Sequence, residues 1–197
     1  MVLVRLGFWT WDSQTMVPQG CRQASITVDP VALLKREHGM ILDQLTMIET
    51  AMSPRSGGSG VATGTDRVTL RELLQFFTGP VDVHFRREEV LVEDLQRILG
   101  RKVEDQEQFK SFLDEHRMLK ADATAVMRKL KRKRADGRDS AASKKLGGLR
   151  TLNAELRGLI GRYRGHISCE ERVLFVLAEM RLTAEQKRRT SRRMLQV

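Results

Sequence analysis

The chain has 197 residues, 41% of them apolar and 30% charged, which suits one soluble domain whose core needs no disulfide staples. No run approaches the roughly 18 apolar residues of a membrane span, and two cysteines, Cys21 and Cys169, are too few for a disulfide framework and fit a reducing compartment. The net charge of +10 points to an anionic partner, yet the stretches Arg128–Lys145 and Arg181–Val197 together carry more than that surplus, so the positive charge is assigned to a connector and a tail, not to the folded body.

Residues 1–28 show no sustained period and read as an N-terminal arm. Its apolar start is broken by Arg5 and Asp12 and no small-residue cleavage site follows, so the chain is expected in the cytoplasm. The first helix opens at Asp29-Pro30, an N-cap followed by proline at the first helical position. Val31, Leu34, His38, Ile41, Leu45, Ile48 and Met52 then recur every three or four residues, one helical stripe. The segment SPRSGGSGVATGT ends it as a flexible loop.

A second helix is expected to begin between Thr65 and Thr69, with Thr69 and Glu72 as a capping box. Its stripe is Leu70, Leu74, Phe77, Val81, His84, Glu88, Leu91, Leu95 and Ile98, interrupted at Gly79-Pro80 by a kink or short break. A third, from about Glu104, carries Phe109, Phe112, His116, Leu119, Ala123, Val126 and Leu130 and dissolves into the basic connector RKLKRKRADGRDSAASKK. The fourth carries Leu149, Leu152, Leu156, Leu159, Tyr163, His166, Glu170, Val173 and Leu177. Nothing reads as a strand. Four such stripes can only cover one another, so the expected fold is all-α: an up-down-up-down four-helix bundle over residues 29–181, followed by a basic C-terminal tail over 182–197.

The four histidines of the chain, His38, His84, His116 and His166, fall one to a helix, each on the inward stripe. His84 and His166 are followed at i+4 by Glu88 and Glu170, which stack on the same face. The two halves repeat: EHGMI at 37–41 is similar to EHRML at 115–119, and HFRREEVL at 84–91 to HISCEERVL at 166–174. A single inward histidine is usually a core residue bonded to a carbonyl. Two interior carboxylates with no arginine or lysine on their stripes are another matter, because each costs several kcal/mol unless paired. Divalent cations supply the missing charge. Four imidazoles and two carboxylates exceed one tetrahedral ion and lack the thiolates of a structural zinc site. Two metals sharing bridging carboxylates fit, with coordination positions left for an exogenous molecule. A redox-active pair of irons fits best; donor type alone leaves manganese and zinc open.

The motifs REHGM (36–40), HFRREE (84–89), DEHRM (114–118) and HISCEE (166–171) resemble, in order and spacing, those of the hemerythrin-like (HHE cation-binding) family, over roughly residues 29–181. The resemblance implies a non-haem di-iron centre ligated by His38, His84, Glu88, His116, His166 and Glu170. It implies a protein that binds or responds to dioxygen, nitric oxide, iron or redox state. Oxygen carriers of the family place a further histidine one turn after the third-helix histidine, where this chain has Lys120. That departure favours sensing, iron handling or peroxide-type reactivity over reversible oxygen carriage. A binding or sensing protein for a small diatomic ligand ranks ahead of a di-iron oxidase or peroxide-consuming enzyme. A bundle that binds nucleic acid through its basic connector and tail ranks third.

Around the six residues the expectations are plainer. Glu88 and Glu170 lie on the stripes and are preferred as ligands to Glu89 and Glu171. Glu37 and Glu115, about 100° off the stripe, are expected to be solvated, not bonded to another ligand's free N–H. Tyr163 either reaches the site with its hydroxyl or is a core tyrosine bonded to a carbonyl. Cys169, Met40 and Met118 read as packing residues.

Overall fold

The computed structural model describes residues 28–53, 64–100, 103–132 and 142–197. The N-terminal arm, the middle of the first loop and most of the basic connector lie outside the described residues. Within them the chain is all-helical: α1 (Pro30–Met52), α2 (Gly64–Gln75), a 3-10 turn (Phe76–Thr78), α3 (Pro80–Leu99), α4 (Val103–Arg132), α5 (Ala142–Arg172), α6 (Leu174–Arg181) and α7 (Ala184–Met194). No helix there is long and apolar enough to cross a membrane.

Local chemistry sets several boundaries as expected. Asp29 Oδ1 accepts from the amides of Val31 (2.9 Å) and Ala32 (3.0 Å), and Pro30 follows at the first helical position, so two orphan N–H groups are satisfied. The expected interruption at Gly79-Pro80 is the 3-10 turn, after which α3 restarts at Pro80. Gly100 ends α3 at φ +74, where a side chain would be strained, and its amide closes on the Gln96 carbonyl at 3.2 Å.

Other boundaries move. The second helix starts at Gly64, so Thr69 stands inside it and cannot be its N-cap. The fourth long helix starts at Ala142, ahead of the stripe that begins at Leu149. It also bends at Val173 (φ −115, ψ −67), although the Val173 amide still reaches the Cys169 carbonyl at 3.0 Å. Beyond the bend the buried residues are Leu174, Phe175 and Ala178, while Val173 and Leu177 are only partly covered. Burial continues from Glu170 at Leu174 and Ala178, four residues apart, one position later than the expected Val173 and Leu177.

Residues 182–197 depart furthest from expectation. They are not a loose tail. Thr183 and Gln186 form a reciprocal capping box that starts α7, which lies against α3 and α1. Thr190, Ser191 and Met194 are buried. Thr190 Oγ1 donates to buried Asp94 at 2.8 Å, Arg193 pairs with Asp94 and Glu93, Lys187 with Glu179 and Asp29, and Ser191 Oγ donates to the Val28 carbonyl. Several basic residues assigned to the tail therefore neutralise acidic groups of the folded body.

The interior has two apolar clusters. One gathers Ile41, Leu45, Leu74, Phe77, Val81, Phe85, Leu119, Leu156 and Tyr163; the other gathers Leu34, Leu91, Leu95, Phe109, Phe112, Leu174, Phe175 and Met194. Fully burying a leucine or phenylalanine contributes about 1.5–3 kcal/mol, so both clusters hold the helices together. Each of α1, α3 and α4 runs through both clusters, and α5 passes from one towards α6 in the other. Between the two clusters along these helices stand His38, His116, Glu88 and Glu170, while His84 and His166 lie at the inner edge of the first, beside Phe85 and Ile167.

Candidate metal centre

The spacing that put one histidine on each stripe brings all four, with Glu88 and Glu170, into one buried layer; none is more than 4% exposed. The ligand atoms of Glu88, His116, His166 and Glu170 lie within 4.8 Å of one another, as do those of His38, His84 and Glu88. The imidazole Nε2 atoms converge on the two carboxylates. Glu88 Oε1 is 3.0 Å from both His38 and His84, and Glu88 Oε2 is 3.4 Å from His116. Glu170 Oε1 is 3.4 Å from His116, and its Oε2 is 3.3 Å from His166 and 3.5 Å from His38. Each carboxylate thus faces three of the four rings.

The outer nitrogens are also held. His84 Nδ1 donates to Glu37 at 2.9 Å, His166 Nδ1 to Glu115 at 2.8 Å and His38 Nδ1 to Glu171 at 3.0 Å. His116 Nδ1 is 3.6 Å from Glu89. A carboxylate that holds the Nδ1 hydrogen orients the ring so that Nε2, once its own proton leaves, turns a lone pair inward, the state a metal requires. Two rings are fixed from outside as well: Phe175 stacks on His38 at 5.1 Å between centroids and Phe85 on His116 at 4.2 Å.

These carboxylates correct the expectation for Glu37 and Glu115. Glu115 is 43% exposed yet bonded to His166; Glu37 is buried, with 3% exposed. Glu37 tolerates burial because Arg87, itself buried, gives Nη1 to its other oxygen while Arg87 Nε donates to the Met194 carbonyl at 3.2 Å. The sequence contains a buried arginine after all, but its charge goes to Glu37 and not to Glu88 or Glu170. Glu89 and Glu171 are about two-fifths exposed and touch the outer nitrogens, whereas Glu88 and Glu170 are fully enclosed.

Without a cation the layer is poorly satisfied. Glu88 Oε2, Glu170 Oε2, His116 Nδ1 and His166 Nε2 approach their neighbours only at 3.3–3.6 Å and make no well-directed hydrogen bond among the described residues, although all are buried. Such orphaned groups cost about 1–3 kcal/mol each. Burial alone would lower the histidine values. Glu170 and Glu88 outweigh it, pushing His38 up to about 10 and His116 up to about 11. His84 is raised against its burial by Glu88 and Glu37. Burial raises the Glu88 carboxyl, but His84, His116 and His38 hold it well below the usual range. An acidic Glu88, with Glu170 beside it facing the same imidazoles, forms a preassembled cation site. The borderline N and O donors, with no thiolate among the six, fit divalent first-row metals.

The residues around the layer are placed as follows. Lys120, where oxygen carriers have a histidine, pairs with Asp82 at 2.7 Å and lies over the Phe85 ring at 5.6 Å. Tyr163 is buried against Phe77 (4.9 Å) and Phe85, and its hydroxyl has no hydrogen-bond partner among the described residues, so the carbonyl bond, one of its two expected readings, is not made there. Cys169 is a free, half-buried thiol; Cys21 lies outside the described residues. The exposed Met40 and Met118 are not the packing residues expected.

The comparisons agree with this geometry. No curated protein and no solved structure matches the chain. A family model, the Hemerythrin HHE cation binding domain, matches residues 29–178, which span α1 to most of α6 and include all six residues of the layer. With most of its length matched and the histidine and glutamate cluster assembled inside, the chain belongs to the hemerythrin HHE cation-binding family.

Proposed function

We propose that the chain is a di-iron protein that binds or senses a small diatomic ligand, dioxygen or nitric oxide, or responds to iron or redox state. His38 and His84 would hold one iron and His116 and His166 the other, with Glu88 and Glu170 shared between them. The helices are taken as an up-down-up-down bundle, which lets four separate segments each contribute one histidine at one depth. The observation that carries the reading is that layer: two fully enclosed carboxylates facing four imidazoles, with no arginine or lysine among the described residues drawn to either. When bound, a pair of irons supplies a reversible one-electron change and open positions for a small ligand. The chain's residues do the rest. Glu37, Glu115 and Glu171 orient the rings, and the two apolar clusters limit water around the layer.

The absence of the further histidine supports sensing ahead of reversible carriage: Lys120 spends its charge on Asp82. Protein purified from iron-replete cells should contain about two irons per chain, and its visible spectrum should change on titration with nitric oxide or dioxygen. Metal content near zero, with melting unchanged by chelator, would falsify the reading.

A further inference from the structure

One buried series of hydrogen bonds ties His84 to the C-terminal helix. His84 Nδ1 donates to Glu37 Oε2 at 2.9 Å, the other oxygen of Glu37 accepts from Arg87 Nη1, and Arg87 Nε donates to the Met194 carbonyl at 3.2 Å. None of these four residues is more than 6% exposed, so each link is desolvated and its direction matters. The Met194 carbonyl belongs to the last residue of α7, a helix that begins after residue 178, where the family match ends.

The attachment of α7 is mostly polar. Within the helix only Thr190, Ser191 and Met194 are buried. Thr190 donates to Asp94, Arg193 pairs with Asp94 and Glu93, and Ser191 donates to the Val28 carbonyl. An 11-residue helix is marginal by itself in water. Held by one apolar side chain and a set of polar contacts, it opens at lower free energy than the helices that cross both apolar clusters.

The two ends of the series depend on each other. His84 can offer Nε2 to a metal only while Nδ1–H stays aimed at Glu37, and ligation strengthens that hydrogen bond. Glu37 and Arg87 are then fixed in the arrangement that meets the Met194 carbonyl. With α7 undocked, Arg87 Nε loses its acceptor and water reaches the Arg87–Glu37 pair, so the ring is held less firmly. Docked and undocked α7 thus differ in their contact with the layer, which is what coupling requires.

We infer that α7 is the element through which this chain registers whether its centre is loaded: metal binding at His84 and docking of α7 strengthen one another through Glu37 and Arg87. This rests on the metal-binding reading above and extends it to how occupancy is conveyed to the surface. Arg87 is a positioning residue here; its guanidinium fork spans Glu37 and the Met194 carbonyl, which a compact ammonium does not do in the same geometry.

The test uses full-length protein and ferrous iron under anaerobic conditions. Amide hydrogen exchange of residues 184–194 reads one direction of the coupling, and chelator competition for iron reads the other. Iron should slow exchange in α7 about tenfold, a coupling of ordinary size. Thr190→Val with Arg193→Gln removes two attachments of α7 at positions that do not touch the layer, and should weaken iron binding by the same factor. Arg87→Lys should cut the link. In that background iron leaves exchange in α7 unchanged, and adding Thr190→Val with Arg193→Gln costs no further affinity. Iron that binds without altering exchange in α7, or α7 variants that bind iron as the parent does, overturns the inference. So do additive losses of affinity in the Arg87→Lys background, which are the mark of general destabilisation. A protein that takes up no iron removes the metal-binding reading itself, and the inference falls with it.

Discussion

His84 and Glu37 are joined at 2.9 Å inside the protein, yet Glu37 comes from a position off its helix's apolar stripe. It can stay there only because Arg87 reaches it from one turn past His84. The pseudo-equivalent pair, His166 and Glu115, has the same geometry at 2.8 Å but a half-exposed carboxylate. One repeat has been closed over and the other left open.

Replacing each of these carboxylates should separate stability from metal binding. Glu37→Gln removes the buried carboxylate that Arg87 and His84 share and should cost about 3–5 kcal/mol, a fall in Tm of roughly 6–20 °C. Glu115→Gln leaves no buried charge, so its Tm should stay near that of the parent while metal affinity drops about 10- to 100-fold. Thermal melts beside a competitive chelator titration distinguish the two. Equal melting of both variants would contradict the buried role of Glu37.

Either shared carboxylate should be needed for full loading. Glu88 and Glu170 each face three histidines, so Glu88→Gln should reduce bound metal from about two per chain to one or fewer without removing helix content. Elemental analysis with circular dichroism reads both quantities.

Metal-free protein should respond to pH in the opposite sense to metal binding. His38 and His116 titrate near 10 and 11 in the folded chain, above their ordinary 6.5. Protons therefore stabilise the fold fully below pH 6.5, and that contribution is lost as pH rises through those values. Glu88 is depressed, so its contribution is present above its ordinary 4.5 and disappears at lower pH. Melts of chelated protein should show Tm falling between pH 6.5 and 10. Loaded protein should be flatter, because metal replaces those protons, and loading near pH 7 should acidify a weakly buffered solution. A chelated protein whose Tm is constant over this range would contradict the assignment.

The C-terminal helix should behave as core. Met194 is fully buried, and Met194→Ala should cost about 2–5 kcal/mol in urea unfolding. A free tail would give a value near zero.

The layer was legible in the sequence because its signal is local: histidine and glutamate at i and i+4 on stripes of regular period, repeated in the two halves of the chain. What escaped depends on distant partners. Arg87 lies off the stripe, and its partners come from distant helices, Glu37 of α1 and the Met194 carbonyl of α7, so periodicity around residue 87 gives no hint of burial. Glu37 follows from Arg87, and the bend at Val173 has no proline or glycine to announce it. The helix at 184–194 did leave a trace. Thr183 and Gln186 have capping-box spacing, and Thr190 and Met194 stand four apart, but a dense basic composition masked both.

The polar layer separates the two apolar clusters, as a charged floor separates two storeys. Neither storey has a complete set of walls without the continuous helices that cross that floor. Loss of its occupants would therefore be felt at mid-height, and whatever loads or empties the centre would also govern how firmly the upper and lower halves move as one body.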